Sequence, residues 1–179
     1  GLSTSALIAS CGTKVLGVDI NQNVVDTINK GEIHIVEADL EHIVSSAVKQ
    51  GNLKASTKAK SANTYLIVVP TPFKGNHEPD ISFVESATKG IIPLLKKGDL
   101  YIIESTSPIG TTEKMQKLIY NERPDLEGKI YIAYCPERVL PGNVMHELVY
   151  NDRVIGGANE VSTQKAIAFY SKYVKGELY

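Results

Sequence analysis

The residues best suited to chemistry follow three apolar, β-branched runs. Leu66-Ile67-Val68-Val69 runs into Pro70-Thr71-Pro72-Phe73-Lys74-Gly75. Leu100-Tyr101-Ile102-Ile103 runs into Glu104-Ser105-Thr106-Ser107-Pro108-Ile109-Gly110. Ile130-Tyr131-Ile132-Ala133 runs into Tyr134-Cys135-Pro136-Glu137-Arg138-Val139. Thr71 and Ser105 offer hydroxyls suited to a ribose or a nicotinamide. Thr106 either serves a ligand or satisfies backbone groups at its strand end. Glu137 is placed beside Pro136, where burial would suit it to take a proton from water; the alternative is a surface ion pair with Arg138. Arg138 carries a guanidinium fork that matches a phosphate or a carbonyl, or else a structural ion pair. Cys135 is either a strand-end nucleophile or a packed thiol, and packing is the preferred reading. Pro70, Pro72 and Pro108 keep the residues before them out of the helical region, so the loops are expected to be extended. In an open α/β sheet, ligands bind outside the carboxyl ends of the strands. Three such segments therefore point at one crevice.

A fourth acid belongs to a cofactor pattern. The chain starts with Gly1 and a run of small and apolar residues to Ser10, followed by the strand Lys14–Asp19. In a dinucleotide-binding unit a glycine-rich turn opens a helix, and an acid ends the next strand about 20 residues on. Gly1 and Asp19 fit the back half of that unit, with the first strand and earlier glycines expected upstream of Gly1. A carboxylate at position 19 accepts hydrogen bonds from ribose hydroxyls and repels a 2′-phosphate, which favours NAD over NADP. A solvated Asp in a turn, or a methyltransferase using the same acid on its own cofactor's ribose, fits the residues too. Gly110-Thr111-Thr112 opens a helix whose free N–H groups suit a phosphate. Thr112 then either contacts the cofactor or caps that helix.

The elements that position these residues alternate between strand and helix. Gly12 is expected to stop the first helix, with Cys11 packed at its end. Asn21 is a candidate N-cap for a helix across Val24, Val25 and Ile28, closed by Gly31. Leu40, Ile43, Val44, Ala47 and Val48 follow helical spacing from about Asp39 to Lys49, and Gly51 stops that helix. Strands are expected at 65–69, 100–104, 130–134 and 153–157, and helices at 81–95, 111–120 and 161–174. The segment between the strand at 130–134 and Arg153 reads as a Pro/Gly loop. This alternation implies an α/β fold: a Rossmann-like, doubly wound, mostly parallel sheet with helices on both faces. Residues 1–179 read as a single NAD-binding domain.

The remaining features exclude more than they assign. The chain has 179 residues, 42% hydrophobic and 22% charged, with net charge −1. Nothing in that balance suggests nucleic acid or an anionic membrane as partner. The apolar runs fall short of the roughly 18 residues of a membrane span. Four His are scattered without metal-ligand spacing, and two Cys fit a reducing cytoplasm.

The strand-end set V-P-T-P, E-S-T-S-P-I-G, C-P-E-R-V-L-P-G and D-R-V-I-G-G resembles the UDP-sugar 6-dehydrogenases over essentially the whole chain. Gly17–Gln22, Asp26–Asn29, Gly31–Glu37 and His77–Asp80 extend the resemblance toward the UDP-N-acetylmannosamine branch. It implies two successive NAD-dependent oxidations of a UDP-sugar C6 alcohol to a carboxylate, through a thiohemiacetal on a cysteine. It also implies a homodimeric parent enzyme. Gly1, Asp19, Thr71, Ser105 and Thr112 would then contact NAD. Thr106 would orient water, Glu137 would assist water or the intermediate, and Arg138 and Val139 would contact the UDP-sugar.

Two departures follow. UDP-glucose dehydrogenases carry a second Glu four residues past the first, and here that place is Pro141. This favours the N-acetylmannosamine branch over glucose. Cys135 is not at the family's nucleophile position; that Cys and its Lys and Asn partners are expected beyond Tyr179, so the chain alone is expected to turn nothing over. A UDP-glucose 6-dehydrogenase, a 2-hydroxyacid or 6-phosphogluconate-type dehydrogenase and a non-catalytic nucleotide-binding regulatory module are the competing readings.

Overall fold

The computed structural model describes residues 1–37 and 39–179. In chain order the elements are α1 (Leu2–Ser10), β1 (Val15–Val18), α2 (Gln22–Asn29), α3 (Leu40–Lys49), β2 (Leu53–Ser56) and β3 (Thr64–Ile67). There follow α4 (Ser82–Ile91), β4 (Leu100–Ile103), α5 (Thr111–Glu122), β5 (Tyr131–Tyr134), α6 (Val144–Tyr150), β6 (Gly156–Gly157) and α7 (Glu160–Tyr170). The chain divides into two compact units. One holds Gly1–Lys60, Arg138–Asp152 and Lys172–Glu177; the other holds Ser61–Glu137, Arg153–Ser171 and Leu178–Tyr179.

In the first unit β1 and β2 pair in parallel, from Val15 opposite Leu53 to Val18 opposite Ser56. Their core is drawn from Ala6 and Ala9 of α1, Val25 and Ile28 of α2, and Leu40, Val44 and Ala47 of α3, with Leu53 and Ala55 of β2. In α3 the helical spacing read from the sequence puts these side chains on one face, whereas α1 is buried on most sides, as its run of small and apolar residues allows. Asn21 caps α2 as expected, accepting the Asn23 N–H at 3.0 Å. Gly31, at φ +80°, closes α2. Its N–H donates to the Ile28 carbonyl and the Glu32 N–H to the Thr27 carbonyl, the bond pair of a left-handed helix stop.

In the second unit β3, β4 and β5 form a parallel ladder, with Thr64 opposite Leu100 and Leu100 opposite Tyr131. Strand β4 is buried along its whole length, which explains its unbroken apolar sequence. Strand β6 adds at the edge in the antiparallel sense, Gly156 opposite Tyr134.

Several elements differ from the sequence expectation. Strand β2 lies in a stretch that the sequence reading left without an element. Two buried positions, Leu53 and Ala55, between Gly51-Asn52 and a Ser/Lys-rich tract give too short a period to recognise. Helix α6 occupies Val144–Tyr150 of the expected Pro/Gly loop; its seven residues bury only Leu148 completely. Helix α4 ends at Ile91 and passes into a 3₁₀ turn at Ile92–Leu94, because Pro93 has no N–H to continue the ladder. The last strand shrinks to Gly156–Gly157, since Ile155 donates instead to the Tyr179 carbonyl at 2.7 Å. Cys11 is exposed rather than packed, because it follows the last turn of α1 as its C-cap.

Two glycines are expected to respond in opposite directions. A Cβ at Gly157 would overlap the Thr163 N–H and the Asn159 carbonyl, where α7 begins against β6. Gly157→Ala therefore lowers stability by about 2 kcal/mol or more. Gly90 lies in α4 with open space around it, and Gly90→Ala raises stability by about 0.5 kcal/mol. Denaturant titration of the two variants checks both signs.

Candidate functional site

The parallel pairing of β3, β4 and β5 brings the three sequence motifs to neighbouring strand ends. They are also laced to one another. The Ser105 hydroxyl accepts the Val69 N–H at 2.7 Å and donates to the Val69 carbonyl at 2.7 Å. The Thr71 hydroxyl donates to the Thr106 carbonyl at 2.7 Å. The Ser107 N–H reaches the Tyr134 hydroxyl at 3.2 Å, and the Glu137 N–H reaches the Glu104 carbonyl at 3.1 Å. The loop after β3 folds back on itself as a small hairpin. Lys74 and Glu78 pair through their backbones at 2.7 Å, Lys74 and Asp80 side chains meet at 3.1 Å, and Asp80 accepts the Ser82 N–H at the start of α4.

These bonds sort the sequence-predicted residues. Ser105 is buried and its single proton is spent on backbone, so its hydroxyl holds β3 to β4 rather than donating to a ligand. Thr71 likewise donates to backbone but is only half-buried. Thr106 is exposed and Glu137 half-buried. Thr112 lies in the first turn of α5 and makes no capping bond. Gly110 occupies the N-cap, and Thr111 donates to the Pro108 carbonyl at 2.8 Å instead. The ion pair between Glu137 and Arg138 does not form among the described residues. Arg138 is exposed and donates to the Asp152 carbonyl at 3.2 Å.

Behind these strand ends is a buried polar cluster that sequence reasoning did not single out. Glu104, at the end of β4, is fully buried and lies 3.4 Å from the Arg153 guanidinium. Its second carboxylate oxygen has no hydrogen-bond partner among the described residues. Arg153 stacks over the Tyr170 ring at 5.0 Å, and the Cys135 thiol lies beside both. Burial pushes the Glu104 carboxyl up to about 7; the Arg153 charge opposes this and the Glu137 charge adds to it. Burial also pushes the Cys135 thiol up, which suits a packed group and not a nucleophile. The signal in the sequence was a carboxylate directly after Leu100-Tyr101-Ile102-Ile103. Its partner is 49 residues away, beyond the reach of spacing arguments.

Residues 1–174 match the NAD binding domain of the UDP-glucose/GDP-mannose dehydrogenase family. The chain belongs to this family. It is 55% identical to UDP-N-acetyl-D-mannosamine dehydrogenase of Escherichia coli strain K12, over 99% of the chain and 44% of that protein. It is 50% identical to NDP-N-acetyl-D-galactosaminuronic acid dehydrogenase of Ralstonia nicotianae, over 98% of the chain and 44% of that protein. The solved structure of UDP-D-ManNAc dehydrogenase from Pyrococcus horikoshii superposes with a TM-score of 0.94 at 39% identity, covering 100% of the chain and 44% of that protein. The chain thus spans less than half the length of these relatives.

In the first unit the residues fit the adenosine end of NAD. Asp19 follows β1 and is half-buried; its Oδ1 accepts the Asn21 N–H at 2.8 Å. Its Oδ2 makes no hydrogen bond among the described residues, which leaves an acceptor for a ribose hydroxyl. Gly1 is the N-cap of α1 and supplies no side-chain cap, so the first-turn N–H groups suit a phosphate. Among the described residues no cluster of metal-ligating side chains occurs, and no helix is long and apolar enough to cross a membrane.

The Glu104 carboxyl gives a pH test. The unfolded chain releases this proton near the ordinary value of 4.5, whereas the folded state keeps it until about 7. The folded state binds more protons in that window, so stability falls as pH rises through it and is flat above. Measured against Glu104→Gln at each pH, the parent loses on the order of 3 kcal/mol between pH 4.5 and pH 7. A gap between the two proteins that stays constant across this range would contradict the assignment.

Proposed function

We propose that this chain is the NAD-binding part of an enzyme that oxidises the C6 alcohol of UDP-N-acetylmannosamine to the carboxylate, with two NAD per sugar. The observation that carries this reading is Pro141 in Pro136-Glu137-Arg138-Val139-Leu140-Pro141-Gly142, together with the 55% identity to a relative of that activity. The 50% identity to a galactosaminuronic acid dehydrogenase keeps a second 2-acetamido sugar nucleotide as the alternative. The reading takes residues 1–179 as one NAD-binding domain of a cytoplasmic, homodimeric enzyme.

In this reading Asp19 accepts from the adenosine ribose, Gly1 opens the phosphate-facing helix, and Thr71, Ser105 and Thr112 line the cofactor. Ser105 acts through the backbone that its hydroxyl fixes. NAD, when bound, supplies the hydride acceptor. Thr106 orients a water molecule through its exposed hydroxyl. Glu137 takes the proton from that water, and its half-buried position next to Glu104 limits competing solvent. Arg138 offers its guanidinium to the sugar nucleotide, and Val139 packs against it.

Turnover of the full-length enzyme decides the substrate. About two NADH per UDP-N-acetylmannosamine, with little from UDP-glucose, supports the reading. NADH from UDP-glucose alone would keep the family but mean that Pro141 does not mark the N-acetylmannosamine branch. Bound NAD with no NADH from any UDP-sugar would favour a regulatory module. In the active enzyme, Glu137→Gln lowers kcat by about 100-fold or more with NAD affinity unchanged. Asp19→Ala weakens NAD binding by about 10- to 100-fold and reduces the preference over NADP. Calorimetric titration with each cofactor measures both effects.

A further inference from the structure

Glu37 carries no chemistry in the reading above, yet both of its carboxylate oxygens are committed. Oε2 accepts the Gly142 N–H at 3.1 Å, and Oε1 accepts the Val144 N–H at 2.9 Å. These donors lie more than a hundred residues along the chain, at the start of α6 and within the same unit. Asn143, the N-cap of α6, makes no side-chain capping bond. Glu37 therefore supplies the cap from outside, where a carboxylate is favoured by the unsatisfied N–H groups and the helix dipole. One charged group bonded to two N–H groups fixes the direction of the loop as well as its position.

The other end of that loop is held by a second acid. Glu147 accepts the Leu140 N–H at 2.8 Å and the Asn151 amide at 3.3 Å, and Asn151 donates to the Arg138 carbonyl at 3.2 Å. Between the two carboxylates lies Arg138–Gly142, with Gly142 at φ +92°. Pro141 removes one donor from the loop. Its remaining shape depends on the two clamps.

We propose that Glu37 is a positioning residue for the sugar nucleotide: its carboxylate clamps the Gly142–Val144 backbone and so holds Arg138 and Val139 in the arrangement that meets the UDP-sugar. This rests on the UDP-sugar reading of Arg138 and Val139. It adds a residue, remote in sequence from the loop and given no role above, on which substrate affinity depends.

The test uses the full-length enzyme with Glu37→Ala and Glu37→Gln. Glu37→Ala raises KM for the UDP-sugar by about 10- to 100-fold, changes kcat at saturating sugar by less than about twofold, and leaves Kd for NAD unchanged. Glu37→Gln keeps one acceptor oxygen and recovers part of the loss. In parallel, the amides of Gly142 and Val144 exchange with solvent faster in Glu37→Ala than in the parent. An unchanged sugar KM in Glu37→Ala overturns the proposal, as does an equal loss in sugar and NAD binding. Unchanged exchange at Gly142 and Val144 overturns the clamp itself. If the parent enzyme oxidises no UDP-sugar, the functional reading fails, while amide exchange still reports on the clamp.

Discussion

A carboxylate and a guanidinium shut away from water sit where the strands of the second unit end. Glu104 and Arg153 are each less than a tenth exposed, and above about pH 7, where Glu104 gives up its proton, both carry charge. Taking two charges out of water costs several kcal/mol apiece, which only close pairing offsets. Here the pairing also fixes geometry. Glu104 terminates β4 and lends its carbonyl to Glu137, so a shift of Glu104 displaces the backbone of the residue proposed to act on water. Arg153 is fixed in turn, because its carbonyl accepts the Tyr179 N–H at 2.9 Å and its guanidinium lies over Tyr170. A polar cluster of this kind costs stability relative to an apolar core, but it admits fewer arrangements.

The hydroxyls nearby divide the labour. Ser105 spends its proton on backbone and becomes part of the scaffold. Thr71 ties one loop to the next. Thr106 stays exposed at the same strand ends. The same residue types thus either tie backbone segments together, as Ser105 and Thr71 do, or stay exposed, as Thr106 does. In the first unit the equivalent division falls between carboxylates: Asp19 keeps one oxygen clear of internal bonds, whereas Glu37 gives up both.

Much of this was legible in the sequence because it depends on local periodicity and punctuation. The spacing of Leu40, Val44 and Ala47 gave α3, Gly31 and Gly51 gave the helix stops, and Leu100–Ile103 gave a strand buried on both faces. The motifs at three strand ends were enough to expect neighbouring residues, and the ladder delivers them. What could not be read depends on distant partners. Strand β2 exists because Leu53 and Ala55 complete a core built mainly by three helices. Helix α6 is capped by an acid from another part of the chain. The role of Glu104 is set by Arg153. The small apolar neighbours of Cys11 imply burial, but as the C-cap of α1 it turns outward.

The most direct test of the central claim is a double-mutant cycle at the buried pair. Unfolding free energies are measured for the parent, Glu104→Leu, Arg153→Met and the double variant. Measured at about pH 8.5, above the Glu104 transition, each single substitution removes one member of the pair and is expected to cost about 3–5 kcal/mol, while the double variant recovers part of that loss. Single substitutions costing less than about 1 kcal/mol, or losses that simply add, would contradict the claim that this pair holds the strand ends in place.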